Sequence, residues 1–308
     1  MGNRVTLKTI AETVGVSRTT VSNAYNRPDQ LAPELRDRIF AAARRLGYAG
    51  PDPAARRLRS GRRDAVGLLL ADGLASAFDD PAAVILLQGV ARATEAAGLA
   101  ILVLPAGDGV QDAVVDSFCL LSLAADHPTV VAAQARGVPL VGVDEPRLPG
   151  HAYVGVDDRL GGRLAAEHLL ELGHRRFAIA PAVGAAGAQR VSGYRDALEA
   201  AGVDWDGVPR VVAFEGLERP TAVLAATDRL ALTVVEAARE AGLRVPEDLS
   251  VVGFDDIPAA AASSLTTVRQ PLYEKGEAAG RLLTEGAASR EVILPVELVV
   301  RGSTARPA

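Results

Sequence analysis

The chain has 308 residues, 49% of them hydrophobic, and a formal net charge of −5 at pH 7, which allows two or three domains with sizeable cores. No run of about eighteen apolar residues indicates a membrane span, and Arg4, Lys8 and Glu12 interrupt the segment where a signal peptide would be apolar, so we expect a cytoplasmic protein with no membrane partner. The single cysteine, Cys119, lies in an apolar run and excludes an intrachain disulfide, which suits a reducing compartment.

Two short helices joined by a tight turn are predicted at the N-terminus. The first ends at Gly15, and Ser17 follows as a side-chain N-cap for the second. Apolar residues recur at helical spacing on one face of each helix, at Leu7, Ile10, Ala11, Val14, Val21 and Ala24. This pattern predicts a helix-turn-helix, a motif that places its second helix in the major groove of DNA.

The exposed face of the second helix and the charge around it favour DNA as a partner. Side chains that can hydrogen-bond base edges or phosphates occupy this face, at Arg18, Thr19, Ser22, Asn23 and Asn26. Residues 1–63 hold 13 Lys and Arg against 5 Asp and Glu, whereas the remainder holds 20 against 33. A basic segment on an acidic body indicates a DNA-contacting domain attached to one that does not touch DNA.

A third helix and a linker follow this motif. Pro33 suits the first position of a helix, and Gly47 ends it. Its apolar positions recur at helical spacing, at Leu35, Ile39, Ala42, Ala43 and Leu46. Residues 48–62 then place two prolines and two glycines around one short helix-competent stretch, residues 54–59.

From about residue 65, short apolar runs alternate with amphipathic helices. Runs typical of buried parallel strands lie at 66–70, 100–104, 118–123, 139–143, 177–180, 222–226 and 249–254. Helices are predicted at 82–97, 129–136, 161–172, 190–201, 229–241 and 274–283. Repeated strand–helix units imply doubly wound sheets. Because the strands fall into two successive groups, the sequence predicts an α/β core of two doubly wound parallel-sheet lobes with a cleft between them.

Seven segments, in order along the chain, resemble the lactose-repressor (LacI/GalR) family of bacterial transcription regulators. They are TLKTIAETVGVSRTTVS (6–22), ARRLRSG (55–61), AEHLLELGHR (166–175), RVSGY (190–194), ATDRLA (226–231), PEDLSVVGFDD (246–256) and TTVRQ (266–270). The resemblance implies a helix-turn-helix headpiece at residues 1–50, a linker with a hinge helix at 51–63, and a two-lobed effector-binding and dimerisation core at 64–308. This core resembles periplasmic sugar-binding proteins.

In the headpiece, the resemblance implies that Arg18 and Thr19 choose bases. Arginine can donate two hydrogen bonds to guanine, and one such pair is worth about 1–3 kcal/mol of discrimination. Further DNA contacts are expected around them and in the hinge, at Thr6, Ser17, Thr20, Ser22, Asn23, Asn26, Ala55 and Arg56. Leu58 stands among arginines, which favours a wedge between base pairs with neighbouring phosphates neutralised; packing of Leu58 on the core is the alternative.

In the cleft, Asp144, Arg190, Thr227 and Asp255 match the family's ligand contacts. Asp144 and Asp255 each end an apolar strand, where open α/β sheets bind their ligands. Three weaker assignments complete the predicted effector site, at Gln270, Phe214 and Phe78. Phe214 could instead belong to the core, and the segment that contains Phe78 departs from the family pattern.

The chain also departs from the family pattern at two shortened segments, 105–112 and 214–219, where relatives carry a surface helix. We expect no metal, no cofactor and no enzymatic activity, because the four histidines lack metal-ligand spacing and no phosphate-binding loop is present.

The resemblance therefore implies a homodimeric regulator, most simply a repressor, of a pseudo-palindromic operator. Its effector is expected to be a sugar or a nucleoside/purine-like molecule. A ligand-independent regulator with a degenerate pocket and a pure solute-binding protein are the alternatives.

Overall fold

The computed structural model describes residues 5–50, 63–71, 73–210, 220–286 and 289–307. The chain divides into two compact units, residues 1–63 and 64–308. Four predicted site residues lie outside the described residues, namely Ala55, Arg56, Leu58 and Phe214. The shortened segment 214–219 also lies outside them.

The N-terminal unit contains the three predicted helices, α1 (Leu7–Val14), α2 (Arg18–Asn26) and α3 (Pro33–Leu46), with a short 3-10 turn at Pro28–Gln30. Helix α1 begins in a capping box between Thr6 and Thr9 and ends at Gly15, whose φ of 77° is left-handed. The Ser17 hydroxyl caps α2 by accepting a hydrogen bond from the Thr20 amide. The helix-turn-helix prediction is therefore confirmed.

A small apolar core joins these three helices. Ile10, Val21 and Ile39 each come from a different helix and are fully buried. The ring of Tyr25 packs edge-to-face on Phe40, with 5.1 Å between the ring centroids. Since every apolar face is used in this core, the polar face of α2 is left outward.

The second unit contains two sheets, and the first is wholly parallel. Its strands are β1 (Ala65–Leu70), β2 (Ala100–Pro105), β3 (Ser117–Leu121), β4 (Leu140–Val143), β5 (Ala152–Val156) and β10 (Glu291–Leu294), in the order β10-β5-β4-β3-β1-β2. Its helices are α4 (Leu74–Asp79), α5 (Pro81–Ala96), α6 (Pro128–Ala135) and α11 (Leu272–Glu285). Cys119 is buried in β3.

The second sheet is parallel except for one edge strand. Its strands are β6 (Phe177–Ala180), β7 (Ala222–Ala225), β8 (Ser250–Asp255), β9 (Thr266–Arg269) and β11 (Glu297–Val299), in the order β11-β9-β8-β7-β6, with β11 antiparallel to β9. Helices α7 (Asp158–Glu171), α8 (Ala185–Ala200), α9 (Asp228–Glu240) and α10 (Pro258–Ala262) complete this lobe. The predicted pair of α/β lobes is confirmed.

The chain passes between the two sheets at residue 157, at 270–271 and at 295–296. All seven predicted strands are present, and four further strands were missed. Strand β9 was missed in the sequence because Thr266 and Thr267 are polar, although both are fully buried. Strands β10 and β11 lie at sheet edges, and each has only two or three apolar residues after an exposed glutamate, Glu291 and Glu297. Strand β5 was missed because no helix separates it from β4, which breaks the strand–helix alternation used for the prediction.

Each lobe contains one helix pair in close contact through glycine. In the first lobe, α5 meets α11 at Gly89, Gly276 and Gly280, where an added Cβ would overlap the partner helix. In the second lobe, Gly162 of α7 and Gly193 of α8 face the partner's backbone in the same way. These glycines therefore set how closely α7, α8 and α11, which carry cleft residues described below, pack on their neighbouring helices.

Among the described residues, no helix has both the length and the apolar character needed to cross a membrane.

Candidate functional site

The polar side chains of α2 fall into two groups. Ser17 and Thr20 hydrogen-bond each other, and the Asn26 amide donates to the Ser22 carbonyl and hydroxyl. Thr6 is likewise engaged in capping α1. These residues hold the shape of the motif, whatever else they contact.

Arg18 and Thr19 form the second group with Asn23. Arg18 and Thr19 are exposed at the first turn of α2, and Asn23 follows one turn later. Within the described part of the chain, none of these three side chains has a hydrogen-bond or ion-pair partner. They are the residues of α2 that are free to contact another molecule.

In the core unit, Arg190 is the centre of a buried polar cluster. It lies on α8, where its Nε donates to Asp158 at 2.8 Å and its Nη1 donates to the Ala226 carbonyl at 2.7 Å and to Asp255 at 3.3 Å. Its guanidinium carbon lies 3.7 Å from the centre of the Phe254 ring. The Nη2 group has no protein partner among the described residues, so it is the available donor of this side chain.

The cluster continues from Asp255 into the other lobe. Gln270 donates from Nε2 to Asp255 at 2.6 Å and accepts at Oε1 from Lys275 at 2.5 Å. The Lys275 ammonium also donates to both carboxylate oxygens of Asp144, at 2.8 and 2.7 Å. A chain of alternating charge therefore runs from Asp158 to Asp144 across the cleft between the lobes.

Two of the predicted ligand contacts adopt backbone conformations that disfavour side chains. Asp144 follows β4 with a φ of 59°, and Asp255 ends β8 with a φ of 120°. Such left-handed residues cost on the order of 1–3 kcal/mol each and are kept where the surroundings impose them, typically at ligand sites. Both carboxylates lie at carboxyl ends of parallel strands, as the sequence predicted.

Burial and charge shift the pKa values of the two carboxyls that hold Arg190. Burial raises the pKa of Asp255 to about 6, against the opposing effects of Arg190, Gln270 and Lys275. The pKa of Asp158 is also raised by burial, which Arg190 opposes. Burial lowers the pKa of Arg190 itself, but the charges of the two carboxylates raise it by more. The guanidinium therefore stays charged, and its charge favours the ionised form of both carboxyls.

The lobes also meet at the N-terminus of α8. This helix begins after Gly184 without a side-chain cap, and Glu145 of the first lobe accepts a hydrogen bond from the Ala185 amide at 3.0 Å. A carboxylate at a helix N-terminus is favourable because it meets unpaired amides and the positive end of the helix dipole. Glu145 is thus a second polar connection across the cleft.

Thr227 and Asp228 hold the loop next to this cluster. The Thr227 hydroxyl caps α9 by accepting from the Leu230 amide. Asp228 is fully buried and accepts from the Thr267 hydroxyl at 2.5 Å and from the Ile257 amide at 2.9 Å. The predicted ligand residue Thr227 therefore has a structural bond of its own, and Asp228 orients the loop after β8.

Asp228 gives a testable pH effect. Burial raises its pKa from 3.8 to about 7, so the folded protein holds this proton more tightly than the unfolded chain. Its contribution to stability is therefore largest below about pH 4 and is lost as the pH rises towards 7. In Asn at this position the side-chain oxygen still accepts from the Ile257 amide, and the NH₂ group donates to the Thr267 hydroxyl, which now accepts, so no charge is buried. Asp228→Asn should match the wild type at pH 4.5 and exceed it in urea midpoint at pH 8.

The control for this experiment is Asp196→Asn. The pKa of Asp196 is lowered, chiefly by its hydrogen bond from Arg159, so its contribution is present above its unfolded pKa and is lost as the pH falls. Between pH 4.5 and pH 8, Asp196→Asn should therefore differ from the wild type by a nearly constant amount, whereas the difference for Asp228→Asn should grow with pH. Parallel slopes would contradict the assignment of a buried, easily protonated carboxyl at Asp228.

The structure brings together Asp144, Arg190, Asp255 and Gln270. Thr227 is next in sequence to Ala226, whose carbonyl accepts a hydrogen bond from Arg190. The structure leaves Phe78 58% exposed at the end of α4. Sequence reasoning missed three residues of the site, namely Asp158, Lys275 and Glu145. Lys275 could have been found, because it is one of only two lysines in an arginine-rich chain and occupies an apolar-face position of its helix.

Within the described ranges, no group of three or more His, Cys, Asp or Glu residues could hold a metal ion.

Comparison with known proteins gives the same two-part division. The sequence profile of the lacI family of bacterial regulatory proteins matches residues 6–50, and that of the periplasmic binding protein-like domain matches residues 166–304. An HTH-type transcriptional regulator of Mycolicibacterium smegmatis is 38% identical over an alignment of 355 positions, which covers 99% of this chain and 97% of that protein.

Solved structures of regulators show the same fold. The complex of the transcriptional regulator CelR with cellobiose has a TM-score of 0.69 and 31% identity, covering 97% of this chain and 100% of that one. The lac repressor dimer bound to operator and the anti-inducer ONPF has a TM-score of 0.82 and 26% identity, covering 98% of this chain and 100% of that one. With its helix-turn-helix, its two α/β lobes and these relatives, the chain belongs to the LacI family of bacterial transcription regulators.

Proposed function

We propose that this protein is a homodimeric repressor that acts in the cytoplasm, binds a pseudo-palindromic operator, and is controlled by a small molecule bound between its lobes. Residues 1–50 would read DNA, 51–63 would form the hinge, and 64–308 would bind the effector and dimerise. The matched relatives are transcriptional regulators and not enzymes, which supports a role without catalysis.

The observation that carries this proposal is the division of polar side chains on α2. Four of its predicted DNA-contacting residues are engaged within the motif, whereas Arg18 and Thr19 are exposed and without partners among the described residues. At the N-terminal end of a recognition helix, such side chains reach base edges in the major groove. Arg18 and Thr19 would therefore set operator sequence, and the other polar residues would position the helix.

The proposed control by a small molecule rests on the cluster around Arg190. Strained carboxylates at two strand ends, a free guanidinium Nη2 and a cleft between lobes form a site suited to hydroxyl groups. A related regulator, CelR, has been solved with cellobiose. A sugar, or a nucleoside or purine-like molecule, would bind here and change operator affinity through its different affinity for two lobe arrangements.

A ligand-independent regulator is the second candidate. It is favoured by the hydrogen bonds that the cluster already makes within the protein, which leave few groups waiting for a ligand. A solute-binding protein is disfavoured by the helix-turn-helix. Calorimetric titration with sugars, nucleosides and purines separates the first two candidates, since operator binding without heat from any compound favours ligand independence.

For the DNA half, Arg18→Ala should weaken binding to an operator selected from a random duplex library by about 1–3 kcal/mol per lost base contact. Binding to nonspecific DNA should fall much less, so the specificity ratio drops. Arg36→Ala removes the same charge from α3 and is the matched control, expected to keep this ratio. Fluorescence anisotropy titrations at fixed salt measure both. An equal loss of specific and nonspecific binding in Arg18→Ala would contradict base reading by this residue.

A further inference from the structure

Among the described residues of the cleft cluster, Lys275 is the one with no exposed surface. It lies in the first turns of α11 with 0% of its side chain exposed. An ammonium group has three N–H donors, and all three are used, on the two oxygens of Asp144 and on Oε1 of Gln270. Lys275 therefore cannot contact a ligand, but it touches two residues that can.

The bonds of Lys275 dictate the orientation of both neighbours. Because an ammonium only donates, the Gln270 side chain must present its oxygen to Lys275 and its NH₂ group to Asp255. The Asp144 carboxylate is held by two bonds and keeps 14% of its side chain exposed. The cleft thus receives an acceptor, Asp144, whose position is fixed from behind by a buried cation.

The same bonds decide which charge the cleft accepts. Among the described residues of the cluster, the two cations, Arg190 and Lys275, stand against three carboxylates, Asp144, Asp158 and Asp255. Each cation is already ion-paired, and Asp80 lies close enough to act on Asp255 through its charge. A phosphate or carboxylate entering this cleft would meet surplus negative charge and no unpaired cation, whereas neutral hydroxyls would meet acceptors and the Nη2 donor.

We propose that Lys275 is the positioning residue that holds Asp144 and Gln270 for neutral, hydroxyl-bearing ligands, in a cleft whose surplus of carboxylates excludes phosphorylated or carboxylated ones. The proposal rests on the ligand control proposed above. It assigns Lys275 a role in ligand binding through Asp144 and Gln270, and it predicts that removing the ammonium costs both stability and ligand affinity, by separable routes.

The stability of three variants of the full-length protein tests the positioning directly. Lys275→Met should lower the unfolding temperature because it leaves the mostly buried Asp144 carboxylate without its counterion. Asp144→Asn added to Lys275→Met should restore part of this loss. Arg281→Met, which removes an exposed cation from the same helix, should have little effect. A Lys275→Met protein as stable as Arg281→Met, or no recovery in the double variant, would overturn the positioning role.

Ligand titrations followed by thermal unfolding test the selectivity. The probes are neutral sugars and nucleosides, beginning with cellobiose and ribose, against ribose 5-phosphate and glucose 6-phosphate. A neutral probe should stabilise the wild type and the phosphates should not. Lys275→Met should weaken binding of the neutral probe at least tenfold when Asp144 is present and much less when Asp144 is already replaced by Asn, whereas a purely structural role would weaken it equally in both backgrounds.

The outcomes separate this proposal from the function on which it rests. Stabilisation of the wild type by a phosphorylated probe as strong as by the neutral one would overturn the selectivity assigned to the cleft and leave ligand control intact. An equal loss of affinity on Lys275→Met with and without Asp144→Asn would overturn the positioning role and likewise leave ligand control intact. No response of the wild type to any probe, with operator binding retained, would reject ligand control and this selectivity together, while the stability comparison still decides whether Lys275 holds Asp144.

Discussion

Arg190→Met should lower the free energy of unfolding by about 3–5 kcal/mol, since removing one member of a buried ion-paired group leaves its partners uncompensated. The partners are Asp158 and Asp255, whose side chains are 9% and 7% exposed. The pKa of each is already raised by burial and held down by Arg190. Without the guanidinium the pKa values of both carboxyls would rise further above their values in the unfolded chain. The loss of unfolding free energy should therefore grow as the pH rises from 5 to 8.

Urea denaturation at these two pH values measures the effect, and the structure supplies a matched control. Arg159 and Asp196 form a second ion pair between the same helices, α7 and α8, but their side chains are 58% and 37% exposed. Because exposed ion pairs contribute little, Arg159→Met should leave the urea midpoint almost unchanged. Similar losses in the two variants, or a loss in Arg190→Met that is independent of pH, would contradict the buried-cluster account.

The second large effect is expected at Gly276, on the helix that carries Lys275. A Cβ at this position would lie far inside contact distance of the Leu86 backbone carbonyl, and the opposing Gly89 has no side chain to move away. Gly276→Leu should force α11 from α5 and cost on the order of 3 kcal/mol or more, at or beyond the upper end of ordinary overpacking because backbone must shift. Neutral ligands should then bind more weakly, since the displaced helix carries Lys275 away from Asp144.

Glu274→Leu is the control for this substitution, because it adds the same side chain two residues earlier on an exposed face of α11. It should change the unfolding free energy little. Thermal and urea unfolding report the stability of both variants. A Gly276→Leu protein of wild-type stability would show that the two helices are not held at the distance described.

The sequence was most informative where local chemistry repeats a known pattern. The helix-turn-helix followed from Gly15, Ser17 and the apolar spacing, because caps and helical periodicity are local properties. Asp144 and Asp255 could be placed at strand ends because each directly follows a buried apolar run. The family resemblance then placed Arg190 with them.

The rest depended on contacts between distant parts of the chain. Lys275 and Asp144 are 131 residues apart, and nothing local to either shows the ion pair between them. The N-cap supplied by Glu145 to α8 comes from another lobe, so the helix start at Ala185 was placed too late, at residue 190. By contrast, the bonds among Ser17, Thr20, Ser22 and Asn26 join residues only three or four positions apart. They agree with the prediction that Arg18 and Thr19 choose bases, which stays a prediction.

The central claim, that the cleft controls DNA binding, is tested most directly by one titration. Operator affinity of the full-length protein is measured by fluorescence anisotropy at fixed salt, with and without the neutral compound that gives heat in calorimetry. Coupling between two sites typically changes affinity by about 5–150-fold, so the account predicts a change of at least fivefold for the selected inverted repeat. An operator affinity that is unchanged at saturating ligand would contradict it.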